Sequence, residues 1–98
     1  MLLRHGDLLL RTITTLPKNA KKIHTDTLQE GEVTGHKHRL QGNFEILIQN
    51  DQKFVNAKSQ LELVHEEHNT IQIPIGMYVL VQEREFGIFE QMSQEVID

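Results

Sequence analysis

The chain has 98 residues, a formal charge of −4 with neutral histidines, and no cysteine. Disulfides, iron–sulfur clusters and thiolate zinc sites are excluded. The acidic balance is a poor match to duplex DNA, whose affinity rests on phosphate neutralisation. At this length a single β domain over 1–98 is expected, with a lean core: the apolar fraction is 38% and the aromatics are Phe44, Phe54, Tyr78, Phe86 and Phe89.

The opening MLLRHGDLLLR does not read as a secretion signal, because Arg4, His5 and Asp7 interrupt it before a long apolar run can form. Residues 73–81, IPIGMYVLV, are too few to span a bilayer. A soluble cytoplasmic protein that does not engage membranes is the expectation. In chain order, 7–13 (DLLLRTI) predicts a first strand and 14–22, with Pro17 and Asn19, a loop. Residues 31–40 (GEVTGHKHRL) predict a second strand, with Gly35 allowing a bulge or close approach.

A turn at Gln41-Gly42-Asn43 leads into 44–49 (FEILIQ), where Phe44, Ile46 and Ile48 share a face, and Asn50-Asp51-Gln52 then signals a hairpin into 53–57. Residues 60–65 alternate with Leu61 and Leu63 on one side, and 70–75 alternate with Ile71, Ile73 and Ile75 inward. Residues 77–86 predict the longest strand, an edge suited to pairing with a second copy; a homo-oligomer is expected. The last stretch, 87–98, reads as a short helical or frayed tail. Short period-two runs parted by turns every eight to twelve positions are the pattern of an all-β sandwich or small barrel, here of six to seven antiparallel strands.

Six histidines in 98 residues are dense, and four of them lie in GHKHRL (35–40) and HEEH (65–68). On a strand His36 and His38 point the same way, about 6.6 Å apart, with the parity of Leu40. His65 has the parity of Leu61 and Leu63 and should lean inward, and His68 follows across Glu66 and Glu67 in a turn. Imidazole is a common ligand for first-row metals, so His36, His38, His65 and His68 are the candidate metal set, with Zn, Mn, Fe or Ni as the ion and Glu45, Glu66 or Glu67 as an added carboxylate. HEEH is not the helical H-E-x-x-H of zinc proteases, where the histidines stand four apart.

Acid–base chemistry is the rival: histidines as base and acid in a metal-independent phosphodiesterase acting on RNA or a short oligonucleotide, with Lys37 or Arg39 holding the phosphate. The catalytic candidates are then His36, His38, Arg39, His65, Glu66, Glu67 and His68. A third possibility is a structural or interaction module, with imidazoles bonded to backbone or water on a half-exposed face. His5 and His24 are isolated and read as surface. The basic clusters Lys18, Lys21, Lys22 and Lys37, His38, Arg39 read as solvated faces. Protonating all six histidines would take the charge from −4 to +2, so its sign reverses in mild acid.

GEVTGHKHRL followed by LVHEEHNTIQIPIGMYVLVQEREF resembles a group of small bacterial and prophage-type proteins that carry GEVTGHxHR, then HEEH, then PxGxYxVxxQREF. The opening HGDLLL and LPKNAKKI also fit, so the likeness covers most of the chain. It implies that His36, His38, Arg39, His65, Glu66, Glu67 and His68 form one unit, with a phage-type interaction module among the possible roles. A second resemblance is to cupins, metal-binding jelly rolls with H-x-H, a later Glu and P-x-G, matched here by His36, His38, Glu45, Pro74 and Gly76. It departs where HEEH precedes the proline and no histidine follows Gly76. HGDLLLRTI and LQEGEV resemble the co-chaperonin barrel, which implies only a small β-barrel.

Overall fold

The computed structural model describes residues 2–6, 8–30 and 37–81. Among these the protein is all-β: ten strands in two antiparallel sheets and no helix. The strands are β1 (Leu2–His5), β2 (Leu8–Ile13), β3 (Lys21–Ile23), β4 (Thr27–Glu30), β5 (Lys37–Gln41), β6 (Phe44–Gln49), β7 (Gln52–Ala57), β8 (Leu61–Val64), β9 (Ile71–Ile73) and β10 (Gly76–Val81). One sheet has six strands in the order β1-β2-β10-β7-β6-β3, the other four in the order β4-β5-β8-β9.

The count exceeds the expected six or seven for local reasons. β1 is the short LLRH run that the charged N-terminus disguised, hairpinned onto β2 with His5 opposite Leu8. β3 occupies the end of the segment read as a loop and pairs with β6 through Lys21, Lys22 and Ile23. β4 carries a register shift between Thr27 and Gln29, which breaks period two and hides the strand from a pattern search. Residues 31–36 of the strand expected over 31–40, residues 82–86 of the strand expected over 77–86, and the tail at 87–98 lie outside the described residues.

The main core lies between the sheets. Leu3, Leu8, Leu10, Ile46, Val55, Ala57, Tyr78 and Leu80 of the larger sheet meet Leu28, Leu40, Leu61, Leu63, Ile71 and Ile73 of the smaller one. The larger sheet is also covered on its other face: Leu2, Leu9, Leu47, Phe54, Val79 and Val81 are buried there, with Ile13, Leu16 and Ala20 packed on them. Two buried faces leave no alternate position for polar groups, so β2 and β10 read as nearly continuous apolar runs. The smaller sheet keeps strict alternation. Leu61, Leu63, Ile71 and Ile73 are buried while Glu62 and Gln72 are exposed.

The β6–β7 hairpin closes on Asn50 and Asp51, both in the left-handed region at φ 49° and 64°, with Gln49 paired to Gln52. Asn and Asp tolerate that conformation best after glycine, which is why this turn was legible. Two expectations fail. Ile75 is 69% exposed, because β9 ends at Ile73 and the chain turns at Pro74, whose carbonyl accepts the Tyr78 hydroxyl at 2.8 Å. β10 is not an edge: its residues Met77–Val79 pair with β2 on one side and with β7 on the other.

Candidate functional site

Three of the inward-facing runs end in histidine at the same end of the sandwich. In β1, Leu3 faces the core and His5 has its parity; in β5, His38 has the parity of Leu40; past β8, His65 has the parity of Leu61 and Leu63. The β5–β8 register pairs Arg39 with Val64 and runs antiparallel, so continuing it by one residue sets His38 opposite His65 and Lys37 opposite Glu66. The contacts agree. The His38 and His65 rings are 4.4 Å apart between centres, and the Lys37 backbone N–H donates to Glu66 Oε1 at 2.9 Å.

His68 completes the group from the β8–β9 connection, 4.7 Å from His65, 5.5 Å from His5 and 6.0 Å from His38 between ring centres. His5 lies 5.1 Å from His38 and 6.2 Å from His65. The seat of His68 depends on glycine: Gly6 has φ +63°, and a Cβ there would collide with the His68 ring. His5 and His38 are fully buried, His65 and His68 half-buried.

Hydrogen bonds fix much of the proton placement. His5 Nε2 is 2.7 Å from the Asn69 carbonyl, which only accepts, so this nitrogen carries a proton. His5 Nδ1 faces His38 Nδ1 at 3.0 Å, and one proton must lie between them. The Glu67 backbone N–H donates to His65 Nδ1 at 3.0 Å, so that nitrogen presents its lone pair. As the side chains stand, no group of three or more His, Asp or Glu among the described residues is posed to hold a metal ion. His5 and His38 turn Nδ1 to each other, and His5 Nε2 and His65 Nδ1 turn to the backbone.

His38, His65 and His68, expected to act together, are together. His36 lies outside the described residues. His5, read as surface, is the correction: it belongs to the cluster and has no exposure. The signal that could have found it was its parity with Leu3 in LLRH. Glu67 enters the cluster through its backbone N–H. Glu66 is held at one oxygen by the Lys37 N–H and faces Arg39 Nη2 with the other at 3.5 Å; the Lys37 hydrogen bond, more than any charge, keeps its carboxyl below the usual carboxylate range.

Glu45, the carboxylate of the cupin-like alignment, is engaged elsewhere. It pairs with Lys22, and with Lys58 at 3.2 Å, and accepts from Asn56 at 3.2 Å. The hydrogen bonds from Lys22, then Lys58 and Asn56, pull its pKa down to about 2. With Lys22, His24, Asp26 and Phe44 it lines an open cleft of about 490 Å³ along β3 and β6, which none of the four clustered histidines lines.

No helix among the described residues is long and apolar enough to cross a membrane. No curated protein and no solved structure matches the chain. A family match does extend over residues 4–83, most of the chain and both histidine-bearing motifs, and on that match the protein belongs to the family described as Domain of unknown function (DUF8820).

Proposed function

We propose that this protein is a small metal-binding β protein whose site is the cluster of His5, His38, His65 and His68, taking a first-row divalent cation that prefers nitrogen ligands. The observation that carries the reading is the 3.0 Å approach of His5 Nδ1 to His38 Nδ1. Two nitrogens on one ion, at bonds of about 2.0–2.1 Å, lie about 2.9 Å apart at a right angle and about 3.3 Å apart at the tetrahedral angle. The pair already stands at that spacing, joined by a proton that a bound cation would displace.

Two further features support it. His5 turns its other nitrogen to the Asn69 carbonyl at 2.7 Å, the outer-shell bond that typically orients a metal-ligating imidazole and fixes its tautomer. Rings gathered round one cation by such bonds have centres roughly 4.5–5.3 Å apart, and two of the six separations here, His5–His38 at 5.1 Å and His65–His68 at 4.7 Å, fall in that range. The phosphodiesterase alternative has less behind it, since Arg39, its phosphate-holding residue, faces Glu66.

The test is the metal content, by mass spectrometry, of protein purified without a histidine tag and then dialysed against zinc, manganese, iron(II) or nickel. One equivalent of bound metal in wild type, lost in His38→Ala, is the expected result. Wild type that retains no metal under any of these conditions contradicts the proposal.

A further inference from the structure

We infer that the free edge of β9 is where two copies of this protein meet. β9 pairs with β9 of a second copy, antiparallel about Gln72, and joins two four-stranded sheets into one. This interaction surface is independent of the metal-binding reading above.

Among the described residues the strands at sheet edges are β1, β3, β4 and β9. An edge offers unpaired backbone to any other chain, and proteins blunt it with charge, lysine above all, and with bulges. β1 carries Arg4, and β3 carries Lys21 and Lys22. β4 has the register shift between Thr27 and Gln29, and its Leu28 carbonyl accepts from Lys53 Nζ at 2.9 Å. The β9 edge has neither device. Residues 70–75, TIQIPI, hold no charge, and Thr70, Gln72, Pro74 and Ile75 are exposed. Ile75 is the large apolar side chain left exposed among the described residues. In a chain of net charge −4, an uncharged stretch is where a second copy approaches with least repulsion.

The alternation of ladder hydrogen bonds decides which groups face out. The Leu40 N–H donates to the Asp26 carbonyl at 2.8 Å, on the β4 side, so Arg39 and Gln41 turn their backbone groups to β8. Glu62 and Val64 then turn to β5, Leu61 and Leu63 to β9, and Ile71 and Ile73 to β8. Gln72 is left with its N–H and C=O pointing away from the sheet. About a two-fold axis at Gln72, the copies exchange both Gln72 hydrogen bonds, and each Thr70 N–H meets the Pro74 carbonyl of the other copy. Pro74 has no N–H, but this register asks it only to accept, with the lone pair that the Tyr78 hydroxyl leaves free. Ile75 then falls opposite Asn69 of the second copy. Moving the axis to Ile71 would set Ile75 against the charged Glu67 instead.

The experiment is sedimentation equilibrium of wild type from about 10 µM, where the monomer dominates, to about 1 mM, the range suited to so small an interface. The mass should rise from 11.4 kDa toward twice that value. Ile75→Glu, at a position 69% exposed in the monomer, should raise the dissociation constant by about tenfold or more, because it carries a charge into the contact. The chain has no cysteine, so in Gln72→Cys a disulfide can form only between two copies. At the axis their Cα atoms stand about 5.5 Å apart, within the span of that bond. Under mild oxidation Gln72→Cys should link much faster than Lys21→Cys, which is exposed on the lysine-bearing β3 edge. Circular dichroism checks that each variant folds, and the wild-type arm needs none. A wild type that stays at the monomer mass up to the highest concentration overturns the proposal. A dimer indifferent to Ile75→Glu, or one in which Gln72→Cys links no faster than Lys21→Cys, overturns it too, since the contact then lies elsewhere.

Discussion

The two sheets solve different problems with the same residues. The six-stranded sheet is apolar on both faces, so Leu8 and Leu10 look one way and Leu9 the other, all buried. The four-stranded sheet is apolar on one face only, and Arg39, Glu62 and Gln72 stand outward between buried neighbours. The histidines appear where the inward runs of both sheets end, so the polar site is an extension of the core rather than a patch on its surface. A buried imidazole there must have partners, because an unsatisfied polar group in such a place costs roughly 1–3 kcal/mol. The hydrogen bonds from His5 to Asn69 and from Glu67 to His65 are that satisfaction.

The sharpest way to break this contrast is to put a charge on the outer face of each sheet. Leu9 is 3% exposed, so Leu9→Asp strands an unpaired carboxylate and should cost more than about 4 kcal/mol or prevent folding. Gln72→Lys, on the exposed face of the smaller sheet and opposite Glu62, should stay within about 0.5 kcal/mol in urea denaturation. Equal effects would mean the two sheets are not covered differently. Next in size is Ile73→Ala. Its side chain is fully buried between the sheets, and the loss should be about 2–4 kcal/mol.

Gly6→Ala sharpens the comparison at the site itself. The substitution forces a Cβ into the His68 ring at a backbone φ of +63°. It should lower metal affinity while far-ultraviolet circular dichroism keeps its strand signature. Retention of wild-type affinity would remove His68 from the site. The smallest effect is electrostatic. Glu45 is held down at about 2 by Lys22, Lys58 and Asn56, so its contribution to stability is fully present above the ordinary carboxylate value of about 4.3 and is lost as pH falls toward 2. Glu66 is lowered as well, chiefly by the Lys37 N–H, and adds loss of the same sign. Wild type and Glu45→Gln should therefore differ in stability at pH 6 and converge on acidification. A constant difference would contradict the depressed pKa.

Much of this was legible locally. Period two in β8 and β9 and the left-handed pair Asn50-Asp51 gave the hairpins, and the parity of His38 with Leu40 and His65 with Leu63 gave half the site. What was not legible came from distant pairings. β10 is central because β2 and β7, far apart in sequence, both pair with it, and nothing in MYVLV distinguishes a central from an edge strand. His5 was missed because its burial depends on β1 hairpinning onto β2 and on partners 33 and 64 residues away, His38 and Asn69. β4 was hidden by the register shift between Thr27 and Gln29, which breaks its period-two pattern.

The central claim is that His5, buried against His38, belongs to a metal site. A melting curve of wild type and of His5→Ala, each with and without excess zinc, tests it most directly. A ligand that binds only the folded state stabilises it by about 2.7 kcal/mol at a hundred times its Kd. The wild-type Tm should rise with zinc by several degrees, and the His5→Ala Tm should not move. A wild type indifferent to zinc, or a His5→Ala variant that rises as far as wild type, would contradict the claim.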